Sequence, residues 1–243
     1  MNAAVYRAVA GDETPYFVKL RRGVFDEIAV ALPKFLSDQG SVQIIAPLTT
    51  KTGGLWASLD AFKLILYPFV EGRNGYEVDL SERHWGEFGM ALKSIHTAVV
   101  PPALARRIQL ETYSPQWREI VKTFLERVED DAFDDLIAVD LSAFLKARRE
   151  EIFDLVRRAE RLAQALQARS LEFVLCHSDI HAGNILIDAN DAFYMVDWDT
   201  PILALALGWA TVARVSARTF GFERYCYGLA EFWLGCRWHM KNE

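Results

Sequence analysis

Apolar positions alternate or cluster in short runs through the first third of the chain, adopt helical spacing in the middle, and return as three short runs between 173 and 196. Residues 4–10 (AVYRAVA) and 15–20 (PYFVKL) predict two strands joined by a turn at Gly11-Asp12-Glu13-Thr14. Residues 24–38 (VFDEIAVALPKFLSD) predict a helix stopped at Gly40, with Pro33 as an interior flaw that predicts a kink or break. Residues 42–70 predict sheet: VQIIAP, a turn at Gly53-Gly54, then LWASLD and FKLILYPFVEG, which breaks at Pro68 and Gly72. Residues 81–98 predict an amphipathic helix capped by Ser81, with Trp85, Phe88, Leu92 and Ile95 on one side and His96 as a structural residue. After Pro101-Pro102, residues 114–168 predict further helices. Ser114-Pro115 marks their start, and Trp117, Ile120, Val121, Phe124 and Val128 mark one face; Phe144, Leu145, Ile152, Leu155, Val156 and Leu162 continue the pattern.

The chemistry concentrates at 171–201. An apolar run at 173–176 leads into the loop His177-Ser178-Asp179-Ile180-His181-Ala182-Gly183-Asn184, and a second run, 185–187, leaves it. A turn at 188–191 precedes a third run, 192–196, which ends on Asp197-Trp198-Asp199. This arrangement suits phosphoryl transfer, which needs magnesium against the phosphates and a carboxylate that positions the attacking hydroxyl. Magnesium takes hard oxygen ligands and keeps several waters, so one or two carboxylates and an amide suffice. Asp179 is the expected hydroxyl-positioning base, and Asn184 and Asp197 are the expected metal ligands. The competing reading is an Asp/Asn-rich hairpin region with solvated turns, and it fits Asp188, Asn190 and Asp191. Asp199 is open between a substrate or second-metal contact and a turn acid. His177 and His181 have i, i+4 spacing, but the loop between them argues against a zinc-binding helix.

HSDIHAGN followed by DWDTP resembles the aminoglycoside phosphotransferase branch of the protein-kinase-like fold, over residues 4–203. The resemblance implies an α+β, two-lobed architecture: a small antiparallel-sheet N-lobe at 1–70, partial, and a larger, mainly helical C-lobe at 71–243. It implies ATP and Mg²⁺ as cofactors, Lys19 as a nucleotide-phosphate contact, and Glu27 as the partner of Lys19. A lysine on a strand is otherwise a solvated side chain, and a glutamate in a first helical turn otherwise stabilises that terminus. LYPFVEG at 66–72 resembles the family's crossing between lobes, though a strand ending on proline fits the same letters. His177 is implied to support the loop backbone. The implied substrate is a small cationic molecule, an aminocyclitol or aminoglycoside antibiotic such as spectinomycin. The alternatives are a nucleotide-binding remnant without catalysis and a kinase for a metabolic alcohol such as homoserine or choline. Two departures stand out. Only 18 residues precede Lys19 and they contain one glycine, Gly11, so the family's glycine-rich loop would lie upstream of Met1. From about Leu205 the chain no longer follows the family; that stretch reads as a helical cap or as an altered tail rich in aromatics.

Composition narrows the partners. The chain is 51% hydrophobic and 12% aromatic, which supports a packed core. Its net charge of −6 argues against nucleic acid as the main partner. Three scattered cysteines suit a reducing cytoplasm. No basic-apolar leader opens the chain, and the apolar stretch 201–213 is too short to span a bilayer, so no membrane association is expected. Seven acids against one base at 126–140 read as a solvated face, or as a field for a cationic substrate.

Overall fold

The structure, a computed structural model, describes residues 3–130 and 133–205. The expectation for the tail therefore falls outside the described residues from 206 onward. The chain divides into two compact units, Met1–Leu110 together with the segment from Phe173 onward, and Glu111–Glu172. Those limits differ from the 70/71 lobe boundary, which we keep as a proposal.

The first unit opens with β1 (Ala3–Val9) and β2 (Pro15–Arg22), an antiparallel hairpin that pairs Val5 with Lys19 and Ala3 with Arg21. β3 (Ala57–Leu59) and β4 (Phe62–Pro68) complete a four-stranded sheet in the order β1-β2-β4-β3. Between the hairpin and β3 lies α1 (Ile28–Asp38), which runs unbroken through Pro33. Of the expected kink or break, the break is corrected: Pro33 forfeits one backbone bond but is fully buried beside Leu32 and Leu36. Gly40 ends the helix region with φ +91, a conformation that favours glycine. VQIIAP does not form a strand. It makes a single parallel bridge, Ile44 to Met195, supported by the Met195 N–H donating to the Gln43 carbonyl at 2.8 Å.

β5 (Gly72–Asn74), β8 (Ile185–Asp188) and β9 (Phe193–Met195) form a three-stranded antiparallel sheet. α2 (Glu82–His96) begins as expected at Ser81, whose hydroxyl accepts from the His84 N–H while His84 Nδ1 accepts from the Ser81 N–H. Arg83 and His84 hold Asp191 in the β8–β9 turn, fastening α2 to the sheet. A short helix α3 (Pro102–Ala105) precedes β6 (Gln109–Leu110), which joins β10 (Ile202–Ala204) and β7 (Val174–Cys176) in a third sheet. A hydrophobic core unites α1, α2 and the β7, β8 and β9 strands. Leu32 and Leu36 of α1, Trp85, Phe88 and Ile95 of α2, Cys176, Ile185, Met195 and Trp198 all belong to it. Both strands that flank the polar loop are therefore anchored in core, which holds the loop's ends in place.

The second unit consists of α4 (Gln116–Asp130), α5 (Leu136–Ala147) and α6 (Arg149–Gln167). Asp135 caps α5 by accepting from the Ala138 N–H at 3.0 Å. The apolar face expected for α4 is present but only partly covered. Val128 is buried, as is Leu125, but Trp117 is 72% exposed and Ile120 and Phe124 are exposed as well. Helical spacing identifies an apolar stripe, but the three-helix unit covers only its far end. Among the described residues no helix is long and apolar enough to cross a membrane.

Candidate active site

The site is built where β7, the loop after it and the end of β9 meet the β1-β2-β4-β3 sheet. β7 ends at Cys176, and the next residue, His177, is 1% exposed. Its Nε2–H donates to the Val196 carbonyl at 3.0 Å, and its Nδ1 accepts from the Asp179 N–H at 3.4 Å. The ring packs on Trp198 with centroids 4.4 Å apart. Burial is the main cause that lowers the His177 pKa to about 4, against the opposing hydrogen bond to Val196 and the charges of Asp179 and Asp197. The neutral ring thus ties the Asp179 loop to the segment that carries Asp197.

Two loop residues adopt left-handed backbone: Ser178 at φ 70 and Asp197 at φ 64. Such conformations cost non-glycine residues of order 1 kcal/mol and gather at functional sites. Ser178 is held by its hydroxyl donating to the Thr200 carbonyl. Asp179 projects outward, its side chain 59% exposed. A single 3₁₀ turn at Ala182–Asn184 brings Asn184 back beneath it. Asn184 is 8% exposed, and its Nδ2 donates to the Asp179 carbonyl at 2.8 Å and to Asp179 Oδ2 at 3.3 Å. That use of the amide nitrogen leaves Oδ1, a hard acceptor, for another role. The Val196 N–H donates to the Asn184 carbonyl at 3.0 Å, which sets Asn184 beside the residue that precedes Asp197.

From the sheet, Lys19 reaches across to the same place. Its Nζ lies 2.8 Å from Asp197 Oδ1 and 2.8 Å from Asp199 Oδ1, and its side chain is only 11% exposed. Arg21, two residues along β2, binds the other carboxylate oxygen of Asp199. Tyr67, which pairs with Phe17 across β2 and β4, borders this cluster; burial first, and then the charges of Asp199 and Asp197, push its phenol well above the usual tyrosine range.

Of the expected site residues, Lys19, Asp179, Asn184 and Asp197 thus come together, although Lys19 lies far from the others in sequence. Glu27 does not join Lys19, and the expected pairing is corrected. Glu27 occupies the position before α1, where its carboxylate meets Arg107 at 3.2 Å, while Lys19 is already satisfied by two carboxylates. Nor does Glu27 cap the helix; the Ile28 N–H is taken by Asp26 Oδ1 at 3.0 Å. Asp199 and Arg21 carry more of the site than the sequence suggested. The signal was present in the i, i+2 spacing of Lys19 and Arg21, which gives two basic residues one face of a strand.

Among the described residues no group of three or more His, Cys, Asp or Glu side chains is arranged to hold a metal. The carboxylates of Asp197 and Asp199 both face cationic nitrogen atoms, which is the environment a hard cation would supply. In the second unit, Glu126, Glu129, Asp134, Asp135 and Asp140 are all exposed, in keeping with the solvated reading of that acidic run.

A loop aspartate is thus bound to an asparagine five residues on, and a strand lysine to a neighbouring acid pair, which brings together residues that the resemblance singles out. The chain belongs to the phosphotransferase enzyme family, whose model matches residues 2–201. It is similar to spectinomycin phosphotransferase APH(9)-Ia in complex with ADP and spectinomycin, with 34% identity, a TM-score of 0.81, and 93% of this chain and 71% of that one covered. The AMP-bound complex of the same enzyme matches at 34% identity and a TM-score of 0.77, covering 91% of this chain and 72% of that one. An aminoglycoside phosphotransferase from Alicyclobacillus acidocaldarius shares the fold at 16% identity and a TM-score of 0.65, with 92% and 69% covered. The fold is accordingly the α+β, two-lobed, protein-kinase-like one, as expected.

Proposed function

We propose that this chain is an ATP-dependent O-phosphotransferase acting on a hydroxyl of a small cationic molecule, and that an aminocyclitol of the spectinomycin type is its substrate. The observation that carries the reading is the convergence of Asp179, Asn184, Asp197 and Lys19. The substrate class rests on the likeness at 34% identity to an enzyme solved with ADP and spectinomycin. Asp179, exposed and oriented by Asn184, accepts the hydroxyl proton as the substrate oxygen bonds to the γ-phosphorus. The bond from that phosphorus to the β,γ-bridging oxygen breaks, and ADP leaves with the electron pair. Lys19 contacts the nucleotide phosphates. Asn184 and Asp197 would hold Mg²⁺, which when bound neutralises phosphate charge. Positioning and fixed charge would supply most of the rate.

A coupled ADP-release assay tests this across spectinomycin, other aminoglycosides, choline and homoserine. The expected result is turnover with spectinomycin that falls at least about 10²-fold in Asp179→Asn. Turnover confined to choline or homoserine would move the substrate to a metabolic alcohol. Binding of Mg–ATP without turnover on any of them would leave a nucleotide-binding protein in place of an enzyme.

A further inference from the structure

We propose that Arg21 is a second polyphosphate-binding cation of the nucleotide site, held by Asp199 until nucleotide enters. The assignment rests on the phosphotransferase reading above but concerns a residue which that reading does not use. Side chains two apart on a strand share a face, so Arg21 and Lys19 project together from β2. Their cross-strand partners on β4, Lys63 and Ile65, lie on the same face. Both cationic heads end on one acid: Lys19 takes Asp199 Oδ1 and Arg21 takes Asp199 Oδ2. Asp199 therefore divides its two oxygens between them, while Lys19 also holds Asp197.

The guanidinium is underused in this arrangement. Its Nη1 meets Asp199, and its Nε is buried without a hydrogen-bond partner among the described residues. Arginine carries five N–H donors in a planar fork that matches two oxygens of a phosphate, so donors remain for an incoming anion. The charges also balance only by exchange. Two carboxylates and two cations neutralise each other in the free protein. A nucleotide polyphosphate arriving with a divalent cation would bring both signs: Asp197 and Asp199 would supply carboxylate oxygens to the cation, and Lys19 and Arg21 would be freed for phosphate oxygens. Lys19 and Arg21 stand about 7 Å apart along the strand, far enough for each to address a different phosphoryl group. Arg21 should therefore read the length of the phosphate chain, not the nucleoside.

The test is titration of the full chain with ATP, ADP and AMP, each with Mg²⁺, for wild type, Arg21→Ala and Arg21→Lys, with far-ultraviolet circular dichroism as the folding control. In Arg21→Ala, affinity for ATP and ADP should fall at least about tenfold, with AMP affinity unchanged within about twofold. Arg21→Lys should recover part of the loss, because it restores charge without the fork. An equal loss for all three nucleotides would make Arg21 a structural clamp on Asp199 and overturn the assignment, as would undiminished ATP affinity. If Arg21→Ala does not fold, Arg21→Lys decides: the preference for ATP over AMP must drop at least about threefold, and an unchanged preference overturns the assignment. None of these readouts needs turnover. A wild type that prefers ATP to AMP but releases no ADP with any hydroxyl substrate defeats the transferase reading while Arg21 is still judged by the ratio.

Discussion

His177 donates from Nε2 to the carbonyl of Val196, 19 residues ahead, and by that one bond at 3.0 Å the loop carrying Asp179 is fixed to the strand end that carries Asp197. The bond requires a proton on Nε2 and a free Nδ1 facing the Asp179 N–H, hence the neutral ring. Protonation would put a second hydrogen against that amide in a buried place.

Stability should therefore fall in mild acid. His177 and His96 both have pKa values lowered to about 4 by burial, below the roughly 6.5 of an unfolded histidine. The unfolded chain then takes up protons first as pH drops. The contribution is complete above about pH 6.5 and declines toward pH 4, by about 3 kcal/mol for each histidine. Urea midpoints measured between pH 4 and 7.5 should show the decline. His177→Gln, which keeps a donor for Val196, should show about half of it; a pH slope identical to wild type would mean that His177 is not one of the titrating groups.

Asn184 is expected to be as consequential for Asp179 as for any metal. Its Nδ2 supports both the carbonyl and the carboxylate of Asp179. Asn184→Ala should cost about 1–2 kcal/mol of stability by stripping a donor from a partly buried carbonyl, and should lower kcat at least about 10²-fold. Asn184→Asp should be no milder, since a carboxylate cannot donate to Asp179 and repels it. Thermal melts and ADP release on the two variants check this; retention of kcat in Asn184→Asp would contradict it.

Gly72 is required by close approach, not by backbone conformation. A Cβ there would lie 2.5 Å from the Ile187 carbonyl oxygen and 3.0 Å from its carbon, on the neighbouring strand. Gly72→Ala should separate β5 from β8 and destabilise the chain by about 2 kcal/mol or more. Gly86→Ala is the contrasting variant: nothing lies within 4 Å of a Cβ at that helical site, so it should be neutral or slightly stabilising. Parallel denaturation curves for the two variants would expose any error in this ordering.

Glu27→Gln should leave nucleotide affinity within about twofold of wild type, because its carboxylate faces Arg107 and not Lys19. The ion pair is half exposed on both sides, so the stability change should also be small, below about 1 kcal/mol. A tenfold loss of ATP affinity would show that Glu27 moves to Lys19 when nucleotide binds.

The polar loop was legible in the sequence because each of its chemical residues stands between apolar runs that have no other reason to break. Asp179 and Asn184 lie close in sequence, so their meeting needs only a local turn. Lys19 could be placed on a strand from alternation alone, but its partners could not, since 178 and 180 residues separate it from Asp197 and Asp199. The same distance blindness gave Glu27 the wrong partner: Arg107, 80 residues away, reaches it through the placement of α3 beside α1. Arg21 was hidden in the basic run Lys19-Leu20-Arg21-Arg22, where charge alone suggests solvent. VQIIAP has the letters of a strand but only one bridge to make, and Trp117 has the letters of a core residue but no helix over it. Periodicity reports what a segment can bury, while the rest of the chain decides what covers it.

The ion pairs that close the candidate site also set an order of events during synthesis. Glu111–Glu172 is a compact unit placed between the two stretches that supply Lys19 and Asp197. At about 5–20 residues per second, β2 leaves the ribosome roughly 10–35 s before the acids that hold its cations. Through that interval Lys19 and Arg21 are open to any polyanion in the surroundings, and the inserted helices, whose contacts are local, have time to fold. The ion pairs of Lys19 and Arg21 thus close only after the inserted helices have been made.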